Sequence, residues 1–275
     1  MSFDLAAMAQ RKGVRRKKVK IRPIKPRPAV VHELQSIYVV VPDLWEANIV
    51  RIMEPYKPVS ITTDAPEDMG RVIDLVYLEI TRVAVNLGVK LRAWSKKAEQ
   101  LHREMWREGV LAATSIDLGT VLGEGAVQET VAAVLERNVG LIKDINEDIH
   151  AKVTDIVFRG VTARTPAREV AKELREQVGF SRTRAINVAA DQTTKLYSAL
   201  DQARQEEAGI DHFIWIHSRK ARPRQIHVER NGKMYKWQKS APDPGLDPPP
   251  DMPGYLPWCG CTAQAVMLGL DGKPM

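Results

Sequence analysis

The chain's only cysteines, Cys259 and Cys261, stand two positions apart near its C-terminal end, with His227 upstream of them. Thiolates and an imidazole suit a thiophilic divalent ion, and with His217 or His212 as a further donor such a set would hold a structural Zn²⁺. The C-x-C pitch is tighter than the C-x₂₋₄-C of most zinc sites, and no fourth ligand stands out. Two buried free thiols beside a hydrogen-bonded His227 are therefore the plainer reading, and a strained local disulfide comes last in a reducing cytosol. A Cys-His nucleophile is conceivable, but no oxyanion hole or third orienting residue accompanies it. Arg224, three residues before His227, could instead reach the carbonyls between Pro253 and Trp258, the two side chains together holding this end of the fold by hydrogen bonds.

Other candidates carry less. Asp243, Asp247 and Asp251 lie among prolines at spacings unlike any calcium loop. Asp144, Glu147 and Asp148 cluster on a helical tract, where acids usually form a solvated face. Gly119, Gly123 and Gly125 lack the G-x-G-x-x-G spacing and no Lys-Ser or Lys-Thr follows, which excludes a phosphate-cradling loop. Charge is more informative. Residues 11–27 hold ten basic residues and no acid: Arg11, Lys12, Arg15, Arg16, Lys17, Lys18, Lys20, Arg22, Lys25 and Arg27. The rest of the chain has 31 basic against 34 acidic residues, so the basicity belongs to this segment. Neutralising DNA phosphates would give it sequence-independent, salt-sensitive binding; docking on a neighbouring protein and a plain solvated tail are the alternatives.

The elements that must position these residues fall into four stretches. Residues 1–28, interrupted by Pro23, Pro26 and Pro28, read as an extended arm. Residues 29–66 read as an irregular lead ordered by a partner, with a short strand at Val39–Val41 and Asp43 capping a short helix. Residues 67–180 read as a helical domain. Ile73, Val76, Tyr77, Ile80, Val83, Ala84, Leu87, Leu91 and Trp94 draw an apolar stripe from Asp64 or Asp68 to about Glu108, where Gly109 can break the helix. Trp94, Met105 and Trp106 fit a bundle core. The segment Gln128–His150 reads as one or two helices bending at Asn138–Gly140. Thr165 and Pro166 start a short helix closed by Gly179.

Residues 181–275 read as an α+β domain. Ser181 caps a helix ending at Gly209, with Ile186, Ala189, Thr193, Leu196, Leu200 and Ala203 facing a core and Arg184, Asp191, Lys195, Asp201 and Arg204 pointing elsewhere. Phe213–Ile216 reads as a strand. Asn231-Gly232 signals a type I′ hairpin between HVER and KMYKW, a proline-rich surface connection follows, and Thr262–Met267 is the last strand. The fold class is α+β, with a mostly helical N-terminal two-thirds and a small antiparallel β-rich C-terminal domain. A composition 44% hydrophobic and 27% charged is ordinary for a soluble globular protein. No apolar run is long enough to span a bilayer, and the basic N-terminus lacks a secretory h-region, so host cytoplasm is the expected site of synthesis.

The C-terminal motifs carry a resemblance. RA-x-x-x-A-x-DQ-x-x-KL over Arg184–Leu196 is followed in order by Arg204-Gln205, Gly209-Ile210, Trp215, R-x-R-x-x-H at Arg222, Arg224 and His227, NGK-x-x-x-W ending at Trp237, Pro253-Gly254 and the C-x-C. This order, over roughly Asn138 to Val266, resembles the Mu F-like phage minor head, or head morphogenesis, family. Arg224, His227, Trp237, Cys259 and Cys261 would be its structural motif. Two positions depart from the pattern: Arg219 and Lys220 stand where an acid usually precedes R-x-R-x-x-H, and Gly260 stands where an Arg usually separates the cysteines. The resemblance implies a non-enzymatic minor capsid protein inside the head near the portal, aiding assembly and DNA packaging or delivery. Its implied partners are the portal protein, the major capsid protein and packaged double-stranded DNA, with no membrane and no cofactor apart from the structural zinc considered above. A metal-dependent nucleic-acid-processing enzyme using His227, Cys259 and Cys261 is the alternative.

Overall fold

The computed structural model describes residues 3–56, 65–119, 125–237 and 251–270. In chain order these form α1 (Leu5–Arg11), β1 (Lys18–Lys20), α2 (Pro28–Tyr38), α3 (Val40–Met53), α4 (Ala65–Thr114), α5 (Gly125–Thr162), α6 (Ala167–Glu207), β2 (His212–Ile216), α7 (Gln225–Glu229), β3 (Met234–Lys236) and β4 (Thr262–Leu268). Long helices and one small sheet make this an α+β fold. The chain divides into two compact units, one of Met1–Val30, Ser95–Val134 and Asp191–Met275, the other of Val31–Trp94 and Leu135–Ala190. The boundaries expected at residues 28, 66 and 180 therefore do not mark the units, because each of the three long helices contributes to both.

The first unit holds the sheet, in strand order β1-β4-β2-β3 with every pair antiparallel. β4 is a central strand, and its residues Ala263, Ala265, Val266 and Met267 are buried. β1 is an edge. The arm expected to hang free is thus a structural part of this unit, because its apolar residues alternate with its charges: Leu5, Ala9, Val19, Ile21 and Ile24 are all buried. Lys18, Val19 and Lys20 pair with Leu268, Met267 and Val266. Asp4 caps α1 by accepting from Ala7 N at 2.8 Å. Gly109 does not break α4. A side chain there would meet Ile21 at 3.1 Å, so the glycine gives Ile21 room to pack, and the helix continues to Thr114.

The second unit is helical. Residues 29–56, expected to be irregular, form α2 and α3, and from residue 31 on they lie in this unit with Leu34, Ile37, Tyr38, Val41, Pro42, Trp45, Ile49 and Ile52 buried. Pro28 takes the first position of α2 and Pro42 lies in the first turn of α3, where a missing N–H costs nothing, so neither proline prevents a helix. Asp43 is a first-turn residue rather than a cap. Buried polar pairs fix the packing: the Tyr38 hydroxyl donates to Asn138 Oδ1 at 2.6 Å, and Trp45 Nε1 to Asn146 Oδ1 at 2.7 Å. Asn138–Gly140 accordingly does not interrupt α5. Pro58 and Asp64 lie outside the described residues, as do Gly123 and the connection from 238 to 250 with Asp243 and Asp247.

The α4 stripe is buried as expected apart from half-buried Tyr77 and exposed Val83. Trp94 and Trp106 are core residues. The helix begun at Thr165-Pro166 does not end at Gly179 and Ser181 does not cap a new one. Val170, Leu174, Val178, Ala185, Ala189, Leu196 and Leu200 continue one buried face through α6, and their burial outweighs the roughly 1 kcal/mol that glycine costs a helix. Gly209 does end α6: at φ +68°, it allows Ile210 N to bond Gln205 O and Gly209 N to bond Glu206 O, the paired bonds of a Schellman stop.

Candidate metal centre

The hairpin partner of β3 is β2, not residues 227–230. His212, Phe213 and Ile214 pair with Lys236, Tyr235 and Met234, while Gln225–Glu229 coil into the short helix α7 with His227 turned inward and Ile226 and Val228 exposed. Gly232 has the positive φ the sequence demanded, but among the described residues Asn231 does not, so the turn is not type I′. The alternation in HVER is too short to separate a strand from one helical turn.

α7 thereby presents His227 to the turn that leads into β4. His227 Nδ1 lies 3.5 Å from the Cys259 sulfur and 3.8 Å from that of Cys261, and all three side chains are buried. Their donor atoms lie within 4.8 Å of one another. The cysteines are free, so the disulfide reading fails. His212 pairs with Asp211 and His217 Nδ1 accepts from Arg219 N, and neither joins the group. On its other side His227 Nε2 meets Asp251 Oδ2 at 2.8 Å, and Asp251 Oδ1 accepts from Arg230 Nη1 at 2.5 Å. A carboxylate oxygen accepts, so the Nε2 proton faces Asp251, and Nδ1 is the ring nitrogen that faces the sulfurs.

The surroundings hold this arrangement. Trp215 on β2 packs edge-on to His227, with ring centroids 5.0 Å apart, and the Arg230 guanidinium lies 4.9 Å above the Trp215 ring. Phe213, Trp215, Trp237, Met252, Cys259, Cys261 and Ala263 form one buried cluster. Arg224 Nη2 donates to Pro257 O and Lys220 Nζ to Trp258 O, each at 2.9 Å; Arg224 thus takes the carbonyl role its spacing suggested, while His227 bonds a carboxylate instead. From α6, Asp191 accepts from Trp258 N at 2.7 Å and pairs with Lys195, so its charge is turned inward, contrary to the solvent-facing place its spacing suggested. The departures at Lys220 and Gly260 match each other: a side chain at 260 would come within 2.9 Å of Lys220 Cε, so the lysine fills the space an arginine there would need.

The thiols differ in character. Cys259 is drawn well below the ordinary thiol range, first because the Cys261 side chain bonds to it, against a burial penalty, and further by the backbone N–H groups of Cys261 and Gly254. Cys261 is pushed up as the donor of that pair and by burial, although Ser218 N–H and the nearby Trp215 indole favour its anion. Among the described residues the Trp215 indole nitrogen makes no hydrogen bond.

Three groups behave differently from the sequence reading. Asp251, set aside as part of no calcium loop, orients His227, and only its carboxylate chemistry hinted at this. Arg230, three residues past His227 on the same helical turn, holds Asp251. The third is a buried charge cluster: His102 Nε2 meets Asp201 Oδ1 at 3.1 Å, Arg204 Nε donates to His102 Nδ1 at 3.2 Å, and Arg204 Nη2 to Glu99 Oε1 at 2.5 Å. Asp201 and Arg204 are therefore buried and not on a solvent face. Asp144 and Glu147 are exposed and Asp148 pairs with Lys152 and Arg184, a solvated face as read.

Residues 148–264 match the model of the family described as "Phage Mu protein F like protein". This region is similar to the phage Mu F-like family. The match supports a phage head-related protein of head morphogenesis type, and it covers α6, the sheet strands β2 and β3, and the His227 centre up to the first residues of β4. A Haemophilus influenzae protein described as "Uncharacterized protein" is 30% identical over 155 residues, which are 56% of this chain and 33% of that protein. The chain thus spans about a third of that relative's length. No solved structure matches it.

Proposed function

We propose that this Mu F-like chain is a minor capsid protein, placed inside the phage head near the portal, that assists assembly and DNA packaging or delivery and touches packaged DNA through residues 11–27. The observation that carries this reading is the way those residues are held. All ten side chains from Arg11 to Arg27 are exposed, while Val19, Ile21 and Ile24 between them are buried. Lys18 and Lys20 point outward from the edge strand β1, and Arg22 is the one of the ten with a carboxylate partner among the described residues, Glu108 at 3.0 Å. A row of cations anchored by its own apolar residues meets phosphates without first losing the entropy of a free tail. The role is structural: His227, Cys259 and Cys261 are 2%, 4% and 1% exposed, which turns them toward the fold rather than toward a substrate.

The test is double-stranded DNA binding by the full chain over a salt series, with Lys17, Lys18, Lys20 and Lys25 changed together to Gln. Each lost phosphate contact should reduce the slope of log K against log salt by about 0.9. These side chains are exposed, so the variant should melt as the wild type does; an unchanged slope in a folded variant would remove DNA from the reading.

A further inference from the structure

We propose that His227, Cys259 and Cys261 bind one zinc ion, His227 through Nδ1, with Asp251 and Arg230 fixing the imidazole from behind. The proposal rests on the side-chain geometry alone and does not depend on a place in the phage head. Zinc–sulfur bonds of about 2.3 Å and zinc–nitrogen bonds of about 2.0–2.1 Å at tetrahedral angles put a ligating nitrogen and sulfur about 3.6 Å apart and two sulfurs about 3.8 Å apart. The observed nitrogen–sulfur separations are 3.5 and 3.8 Å, and all three donors lie within 4.8 Å of one another.

The arrangement around the donors points the same way. A neutral imidazole with its proton toward Asp251 offers one lone pair on Nδ1, enough for one thiol, whereas a cation between the three atoms engages both sulfurs and the nitrogen together. Asp251 on Nε2 is the carboxylate that zinc-bound histidines commonly carry, raising the basicity of the ligating nitrogen and fixing its direction. Two thiolates select a soft ion over magnesium or calcium. Among the described residues no fourth side chain joins the group, so the remaining position falls to a water. The ion would tie α7 to the turn before β4, closing segments 32 and 34 residues long.

The full chain, purified under reducing conditions without chelator, should carry one zinc per molecule by elemental analysis. After stripping, cobalt(II) should bring up thiolate-to-metal charge-transfer absorption. Cys259→Ser and Cys261→Ser should each abolish it, and Asp251→Asn should keep it while weakening cobalt affinity about 10–100-fold. A zinc-free wild type whose reduced, stripped form gives no charge-transfer band would overturn the proposal, as would a folded double serine variant that binds cobalt as tightly as the wild type. If the serine variants fail to fold, the two wild-type measurements decide alone.

Discussion

Gly254 shows how narrowly the His227 centre is built. It sits at φ +83°, and a side chain there would come within 1.9 Å of the Ser198 hydroxyl. Its N–H also favours the Cys259 thiolate. Gly254→Ala should therefore cost at least about 2 kcal/mol of stability by denaturant unfolding; a variant as stable as the wild type would contradict the packing described. A second residue-scale effect belongs to His102, which faces Asp201, Arg204, Glu99 and the Tyr197 ring. Burial, the largest cause, holds its pKa below the ordinary value of 6.5 despite Asp201. A depressed histidine contributes stability above its unfolded pKa and loses it as pH falls toward the folded one, because only the unfolded chain then takes up the proton. Acidification below pH ~6.5 should therefore destabilise the wild type by up to about 1.4 kcal/mol per pH unit from this group. His102→Gln should remove that part of the slope, and identical slopes in the two proteins would exclude the assignment. None of this cluster was legible in the sequence: Asp201 and Arg204 look like ordinary surface charges on an amphipathic helix, and His102 lies about a hundred residues away. The His227, Cys259 and Cys261 group could be read because those residue types are few.

At the scale of elements, periodicity located the apolar faces and glycine misplaced the ends. The stripes of α4 and α6 were visible in their three-and-four spacing, whereas Gly109, Gly140 and Gly179 suggested breaks that packing overrides. Gly179 is the cleanest case, being solvent-exposed with no atom within 4 Å of where a side chain would begin. Gly179→Ala should stabilise the chain by up to about 1 kcal/mol, seen as a raised melting temperature; a lower one would mean that α6 is interrupted there after all. β1 escaped notice because its three residues are two lysines around one valine, and only pairing with β4 makes them a strand. Removing residues 1–28 would expose an edge of β4 and delete five buried side chains, so truncation is expected to lower stability as well as charge.

For the whole molecule, the cationic segment and the cysteine-bearing cap belong to the same compact unit. The C-terminal motifs carried the family resemblance because their order survives even where Lys220 and Gly260 depart from it. The helical division did not emerge from sequence, since each long helix serves two units and no local composition marks the change. The role proposed for it is that of a folded head component presenting a basic edge to the genome. Cross-linking mass spectrometry on intact mature heads tests this most directly. The account predicts that the chain is present in few copies and that it links to the portal protein; heads that mature without the chain, or links confined to the outer capsid surface, would contradict it.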